Sequence, residues 1–242
     1  MRVSPPALVR GPCDGGGVTS IITVGAALPS GKGQVPLTAA QPSAPPRGGI
    51  VVLHESREFG DSVIELIRSL AVEGWTVAAP HLFDRLPESV SSVFGDALFE
   101  DFDAAVAWLG ESGIEPDRVG VLGFDEAGTA ALLVAINRRI GAAVSVACRG
   151  IVEPLTPETP PLVDAVTRVQ APWLGLFGDH DPNIPAHHIA RLREAAANAE
   201  AATLVVSYPG HEHRADEPQV QAERAFADAR ERIVDWFDSN LR

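Results

Sequence analysis

Residues 120–128 read Gly120-Val-Leu-Gly-Phe-Asp-Glu-Ala-Gly128. An apolar, β-branched run enters Gly123, and an alanine-rich stretch of helical character follows Asp125 and Glu126 directly. A strand passing into a helix through small residues, with one polar side chain between them, is the layout of a nucleophile elbow. The small flanks allow a strained turn that lifts that side chain above a sheet. The pattern departs from G-x-S-x-G twice: Asp125 stands at the nucleophile position, and Ala127 replaces the second glycine, with Gly128 after it. Read as structure alone, Gly123 makes a turn and Asp125 caps the following helix, a role aspartate fills well.

Outward from this stretch, strands and helices alternate. Upstream, 50–53 and 75–79 are short apolar runs suited to strands buried on both faces, and 61–73 and 99–109 carry apolar residues at helical spacing. Downstream, strands are expected at 118–122, 142–147, 173–177 and 203–208, with helices at 127–139, 186–198 and 219–241. Short connections between them imply parallel pairing through right-handed crossovers. Residues 18–24 and 34–40 read as an N-terminal β-hairpin around a turn-rich Leu-Pro-Ser-Gly-Lys-Gly. The fold class is α/β: a mostly parallel central sheet flanked by helices, with no room for a large cap domain. Residues 1–17, rich in Pro and Gly, read as a flexible leader, and 18–242 as one domain.

Ligands in such sheets bind beyond the carboxyl ends of the strands. Three loops there carry candidate chemistry. Phe177-Gly-Asp-His-Asp-Pro-Asn-Ile-Pro185 offers Asp181 as an acid, with Asp179 as the alternate, and Tyr208-Pro-Gly-His-Glu-His-Arg214 offers His213 as a base, with His211 as the alternate. Acid and base follow the elbow in the chain order of α/β-hydrolases. The third loop, His54-Glu55-Ser56, and the residue after Asp125 are placed to supply oxyanion-hole amides, from Ser56 and Glu126.

Together these residues resemble the dienelactone hydrolase family over 18–242. The resemblance rests on the leading hairpin, His54-Glu55, Ala79-Pro-His-Leu-Phe-Asp-Arg85, the elbow, the acid loop and the Tyr208-Pro-Gly…His213 loop. It implies hydrolysis of dienelactones or related esters without metal or organic cofactor. It also implies that Glu55 contacts the nucleophile at rest and that Arg85 helps bind a substrate carboxylate. The family's second carboxylate-binding arginine falls on Glu217, with Arg214 nearby but out of register.

Asp125 changes the expected chemistry. A carboxylate attacking an ester carbonyl gives an anhydride, from which the leaving group readily reverts. At a saturated carbon it displaces halide or opens an epoxide, leaving an alkyl ester that a His–Asp pair and water then hydrolyse. Glu126 stands where such dehalogenases carry a tryptophan, and Tyr208 is the only tyrosine. Two functions therefore stand side by side: a hydrolase working through Asp125, His213 and Asp181, or a catalytically degenerate member that binds a ligand or partner without turnover. A metal site on His54, Glu55, Asp125, His211 and His213 would suit imidazole and carboxylate ligands, but the spacing matches no ligand motif.

Composition bounds the partners. A net charge of -13 repels phosphate backbones, so nucleic acid is excluded and a small-molecule ligand expected. No apolar run is long enough to cross a bilayer. The two cysteines, Cys13 and Cys148, form no disulfide framework, and no secretory signal is present, so a cytoplasmic monomer or small homo-oligomer is expected. Trp75, Trp108, Trp173 and Trp236 fall on strands or helices as packing residues, and Cys148 as a buried packing thiol.

Overall fold

The structure, a computed structural model, describes residues 20–87, 90, 92, 94–157, 159–210 and 220–241, with the side chains of 220–224 excluded. The stretch read as a leader lies outside the described residues. Eight strands form one sheet: β1 (Ile21–Ala27), β2 (Gln34–Ala40), β3 (Gly49–Leu53), β4 (Thr76–Pro80), β5 (Val119–Phe124), β6 (Ala142–Val146), β7 (Trp173–Gly178) and β8 (Thr203–Tyr208). Their order across the sheet is β1-β2-β4-β3-β5-β6-β7-β8. β1 and β2 form the antiparallel hairpin, β2 joins β4 antiparallel, and every pairing from β4 to β8 is parallel.

Among the described residues six α-helices accompany the sheet: α1 (Asp61–Val72), α2 (Asp96–Glu111), α3 (Asp125–Asn137), the four-residue α4 (Leu162–Ala165), α5 (Ala186–Ala196) and α6 (Val220–Asn240). The pleat sorts β3 between two cores. Ile50 and Val52 pack with Ile67 and Leu70 of α1 and Ile233 and Phe237 of α6, whereas Val51 and Leu53 face Phe102 of α2 and Leu132 of α3. All five β3 residues are buried, which is why the strand reads as an unbroken apolar run.

The expected elements hold with shifted ends. β1 runs three residues past the expected end at Val24, because its pairing continues to Ala27 opposite Gln34. α2 starts at Asp96, earlier than its apolar spacing alone announces. α3 begins at Asp125 itself, not at Ala127, so strand and helix meet without a loop. α4 was not anticipated, being too short for periodicity to register. Trp75 and Trp173 are fully buried, as packing residues should be. No helix among the described residues is long and apolar enough to cross a membrane.

Candidate active site

Asp125 occupies the junction of β5 and α3 with φ 54°, a left-handed conformation that Asp tolerates better than most residues. The close return of the chain explains the glycines around it. A Cβ on Gly123 would overlap the carbonyl oxygen of Ala127, so no larger residue fits there. A Cβ on Gly128 would sit 2.9 Å from the Val146 carbonyl oxygen, so its absence lets α3 settle against β6. Beneath this contact Ser145 Oγ donates to Gly128 O at 2.7 Å and Trp173 Nε1 donates to Ser145 Oγ at 3.0 Å, satisfying a buried polar chain. Asp125 is 3% exposed, which makes its charged neighbours decisive.

One of those neighbours is Arg149, whose Nη2 lies 3.2 Å from Asp125 Oδ1. Arg149 follows β6 by way of Ala147, which has φ 50°. Its backbone is clasped by Thr129: the Arg149 N–H donates to Thr129 Oγ1 at 3.0 Å, and that hydroxyl donates to the Arg149 carbonyl at 2.8 Å. Sequence reasoning missed Arg149. The available signal was its place just past the strand next to β5, since parallel neighbours deliver their following loops to the same edge.

Two more carboxylates stand close by, Glu55 on the loop after β3 and Glu126 in the first turn of α3. Glu55 Oε2 accepts the Glu126 N–H at 3.0 Å, so one of the two expected oxyanion amides is engaged by a side chain. The Ser56 N–H, the other, donates to His54 Nδ1 at 3.3 Å. Burial raises the Glu126 carboxyl above its usual range, the charge of Glu55 adds to this, and Arg149 opposes it. His54 is buried against Phe59 with ring centroids 4.1 Å apart, and burial followed by the charge of His81 lowers it to about 4.

On the acid loop, Asp181 is buried and its Oδ1 accepts the Asn183 N–H at 2.8 Å. Asp179 instead accepts the Gly210 N–H at 2.7 Å, tying this loop to the one leading toward the expected base. His213, its alternate His211 and Arg214 lie outside the described residues. Cys148 is fully buried and burial pushes its thiol up, so it is a packing residue and not a nucleophile.

Arg85, expected at a substrate carboxylate, is engaged within the protein. Its Nε and Nη2 donate to Asp101 Oδ1 at 3.0 and 2.5 Å, and Nη1 pairs with Glu100 at 3.0 Å. Cavities of about 440 and 300 Å³ flank the sheet, the larger between α2 and α3, the smaller walled by Arg57, His81 and Phe83. Asp125 lines neither. Among the described residues no group of three or more His, Cys, Asp or Glu side chains is arranged to hold a metal ion.

The frame matches known proteins. The chain is 30% identical over 231 residues to a candidate carboxymethylenebutenolidase of Yersinia pestis, covering 87% of this chain and 85% of the relative. A relative with the same designation from Methylorubrum extorquens is 32% identical, over 87% of this chain and 78% of its own length. The crystal structure of a candidate dienelactone hydrolase from Klebsiella pneumoniae superposes with a TM-score of 0.74 at 26% identity, covering 90% of this chain and 98% of that one. An esterase of Pyrobaculum calidifontis shares the fold, with a TM-score of 0.68 at 15% identity over 91% of this chain and 85% of its own. Residues 35–241 match the model of the dienelactone hydrolase family. With an α/β-hydrolase sheet, no cap domain among the described residues, and a sequence match that takes in the hairpin's second strand, the β5–α3 junction and the terminal helix, this chain belongs to the dienelactone hydrolase family.

Proposed function

We propose that this member of the family is a metal-free hydrolase of small molecules bearing an electrophilic saturated carbon, an alkyl halide or an epoxide, with Asp125 as the nucleophile. The observation that carries the reading is the buried carboxylate of Asp125, held at φ 54° at the apex of the β5–α3 turn with a guanidinium on one of its oxygens. In this reading the turn serves as a nucleophile elbow. One Asp125 oxygen bonds to the carbon as halide leaves with the bonding electrons, or as the epoxide C–O bond opens and its oxygen takes a proton from water. Water then attacks the Asp125 carbonyl carbon, giving up a proton to His213, whose charge Asp181 offsets. The alcohol departs with the oxygen that had attacked, and Asp125 is regenerated. Residues 18–242 form the working unit. The low cysteine count supports a cytoplasmic setting, as a monomer or small homo-oligomer.

Simple ester hydrolysis by the resting arrangement is disfavoured on chemical grounds. Both expected oxyanion amides already have acceptors, Glu126 in Glu55 and Ser56 in His54. The same engagement favours a second reading, a family member that binds a small ligand without turnover. The experiment that separates them is a single turnover with a short alkyl bromide and with an epoxide in ¹⁸O-water. The hydrolase reading expects ¹⁸O in the Asp125-containing peptide and a His213→Gln variant that retains an alkyl group on Asp125. Protein that carries neither label, and yields no alcohol, sinks it in favour of binding alone.

A further inference from the structure

Arg149 has no role in the scheme so far, yet several features converge on it. Asp125 at 54° and Ala147 at 50° are the non-glycine residues with positive φ among those described, and they end the adjacent strands β5 and β6. Alanine has no local hydrogen bond to offset that conformation, so the surrounding structure must hold it. The Ala147 N–H donates to the Leu176 carbonyl at 2.8 Å, which anchors the strained residue to β7. Strain on both sides of one ion pair marks a site where geometry has been favoured over local comfort.

The clasp by Thr129 sharpens the point. Thr129 lies one helical turn after Asp125 on α3, hence on the same side of the helix, and is itself buried. The helix that presents Asp125 thus also holds the Arg149 backbone, through the two hydrogen bonds of the Thr129 hydroxyl. An exposed ion pair would be worth little. Here the carboxylate side chain is 4% exposed, and Arg149 Nε, buried, has no hydrogen-bond partner among the described residues. The guanidinium therefore has donor capacity not yet used.

The hydrolysis of an ester on Asp125 needs such a donor. When water adds to the Asp125 carbonyl carbon, the π electrons of that C=O move onto its oxygen, and the negative charge must be received there. The Glu126 amide is bonded to Glu55 and the Ser56 amide to His54. The cation already 3.2 Å from Oδ1 is Arg149. On the reading in which Asp125 is alkylated, we infer that Arg149 is a catalytic residue, the oxyanion donor for breakdown of the alkyl-enzyme ester, with Oδ1 as the charged oxygen and Oδ2 as the oxygen bonded to substrate. As the tetrahedral centre collapses, the C=O re-forms at Oδ1, the bond from Cγ to Oδ2 breaks, and the alcohol leaves with Oδ2 and a proton returned by the base. The inference also makes substrate selection two-stage. Any accessible electrophile alkylates Asp125, but only esters that leave Oδ1 on the guanidinium are released.

The test separates this inference from the reading on which it rests. Natural protein, Arg149→Gln, Arg149→Lys and His213→Gln are each mixed with a short alkyl bromide, quenched in time and weighed as intact protein and as the Asp125 peptide. Arg149→Gln is expected to alkylate and then stall, with breakdown slowed about 10²-fold, the effect of losing one oxyanion donor. Arg149→Lys is expected in between, since it keeps the charge and loses the fork, and it carries the measurement if Arg149→Gln does not fold. If His213→Gln retains the alkyl group while both Arg149 variants release it at the natural rate, the role given to Arg149 is wrong and Asp125 alkylation stands. If no variant is ever alkylated, the hydrolase reading and this inference fail together.

Discussion

Glu55 reaches across from the loop after β3 and places Oε2 3.0 Å from the backbone nitrogen of Glu126, the amide next to Asp125. A carboxylate therefore sits on the donor that an acyl-transfer enzyme would keep for its developing oxyanion. Ester chemistry in this frame should be limited by that occupancy as well as by the missing serine or cysteine. In an Asp125→Ser background, adding Glu55→Ala is expected to raise p-nitrophenyl acetate turnover by about 10²-fold, the size of one oxyanion donor. Equal rates in the two proteins would show that the Glu126 amide is not the limiting group. A further His213→Ala change should abolish the activity, and turnover that survives it would discard His213 as the base.

Arg85 and Asp101 make a structural pair. Asp101 is 1% exposed, and burial pushes its carboxyl up to about 6 despite the guanidinium beside it. Removing the cation leaves a buried carboxylate unanswered, so Arg85→Met should cost about 3 kcal/mol in urea denaturation at neutral pH. The loss should shrink as pH falls below about 6, where Asp101 takes up a proton and no longer needs a partner. The double variant Arg85→Met, Asp101→Leu should recover most of the loss, because an apolar pair replaces a buried ionic one at little cost. A single variant of unchanged stability but altered substrate binding would return Arg85 to the ligand.

His54 makes the fold acid-sensitive. Its Nδ1 accepts the Ser56 N–H, so in the neutral ring the proton sits on Nε2, which is buried with no hydrogen-bond partner among the described residues. Burial, and then the charge of His81, lowers it from 6.5 to about 4. A folded value below the unfolded one gives stability that is present above pH 6.5 and lost as pH falls toward 4. That loss amounts to about 3 kcal/mol from this group. Urea midpoints between pH 4.5 and 7.5 should therefore fall more steeply in the natural protein than in His54→Asn. Parallel pH profiles would remove His54 as the source.

Gly123 offers a test of the turn itself. Its added methyl would meet the Ala127 carbonyl, a backbone atom that cannot rotate away. Gly123→Ala should cost more than about 4 kcal/mol or prevent folding, the scale of the severe single-residue effects. Gly110→Ala, on α2 with open space around its Cβ position, is the control and should be neutral or mildly stabilising. Equal thermal midpoints for the two variants would mean the β5–α3 turn is looser than described.

Local chemistry made much of this protein legible. The bounds of β2 and β8 agree with their apolar runs, and the short, unbroken apolar stretches between helical patterns announced parallel strands, because burial on both faces demands that composition. Gly123, Asp125 and Gly128 announced the turn, since the steric demand of a close return acts within a few residues. The partners of the charged side chains were a different matter. Arg149 and Asp125 are 24 residues apart, and Glu55 and Glu126 71 apart. No periodicity links such positions. They meet because β3, β5 and β6 lie side by side in the sheet and send their following loops to one edge. Arg85, read from sequence as a cation for substrate, meets Asp101 for the same reason: α2 brings the carboxylate to it, 16 residues on. What the residues determine alone is the series of strands, helices and strained turns. Which charge answers which is decided by strand order and by backbone angles such as those of Ala147, because electrostatic contact falls off over a few ångströms of space and takes no account of distance along the chain.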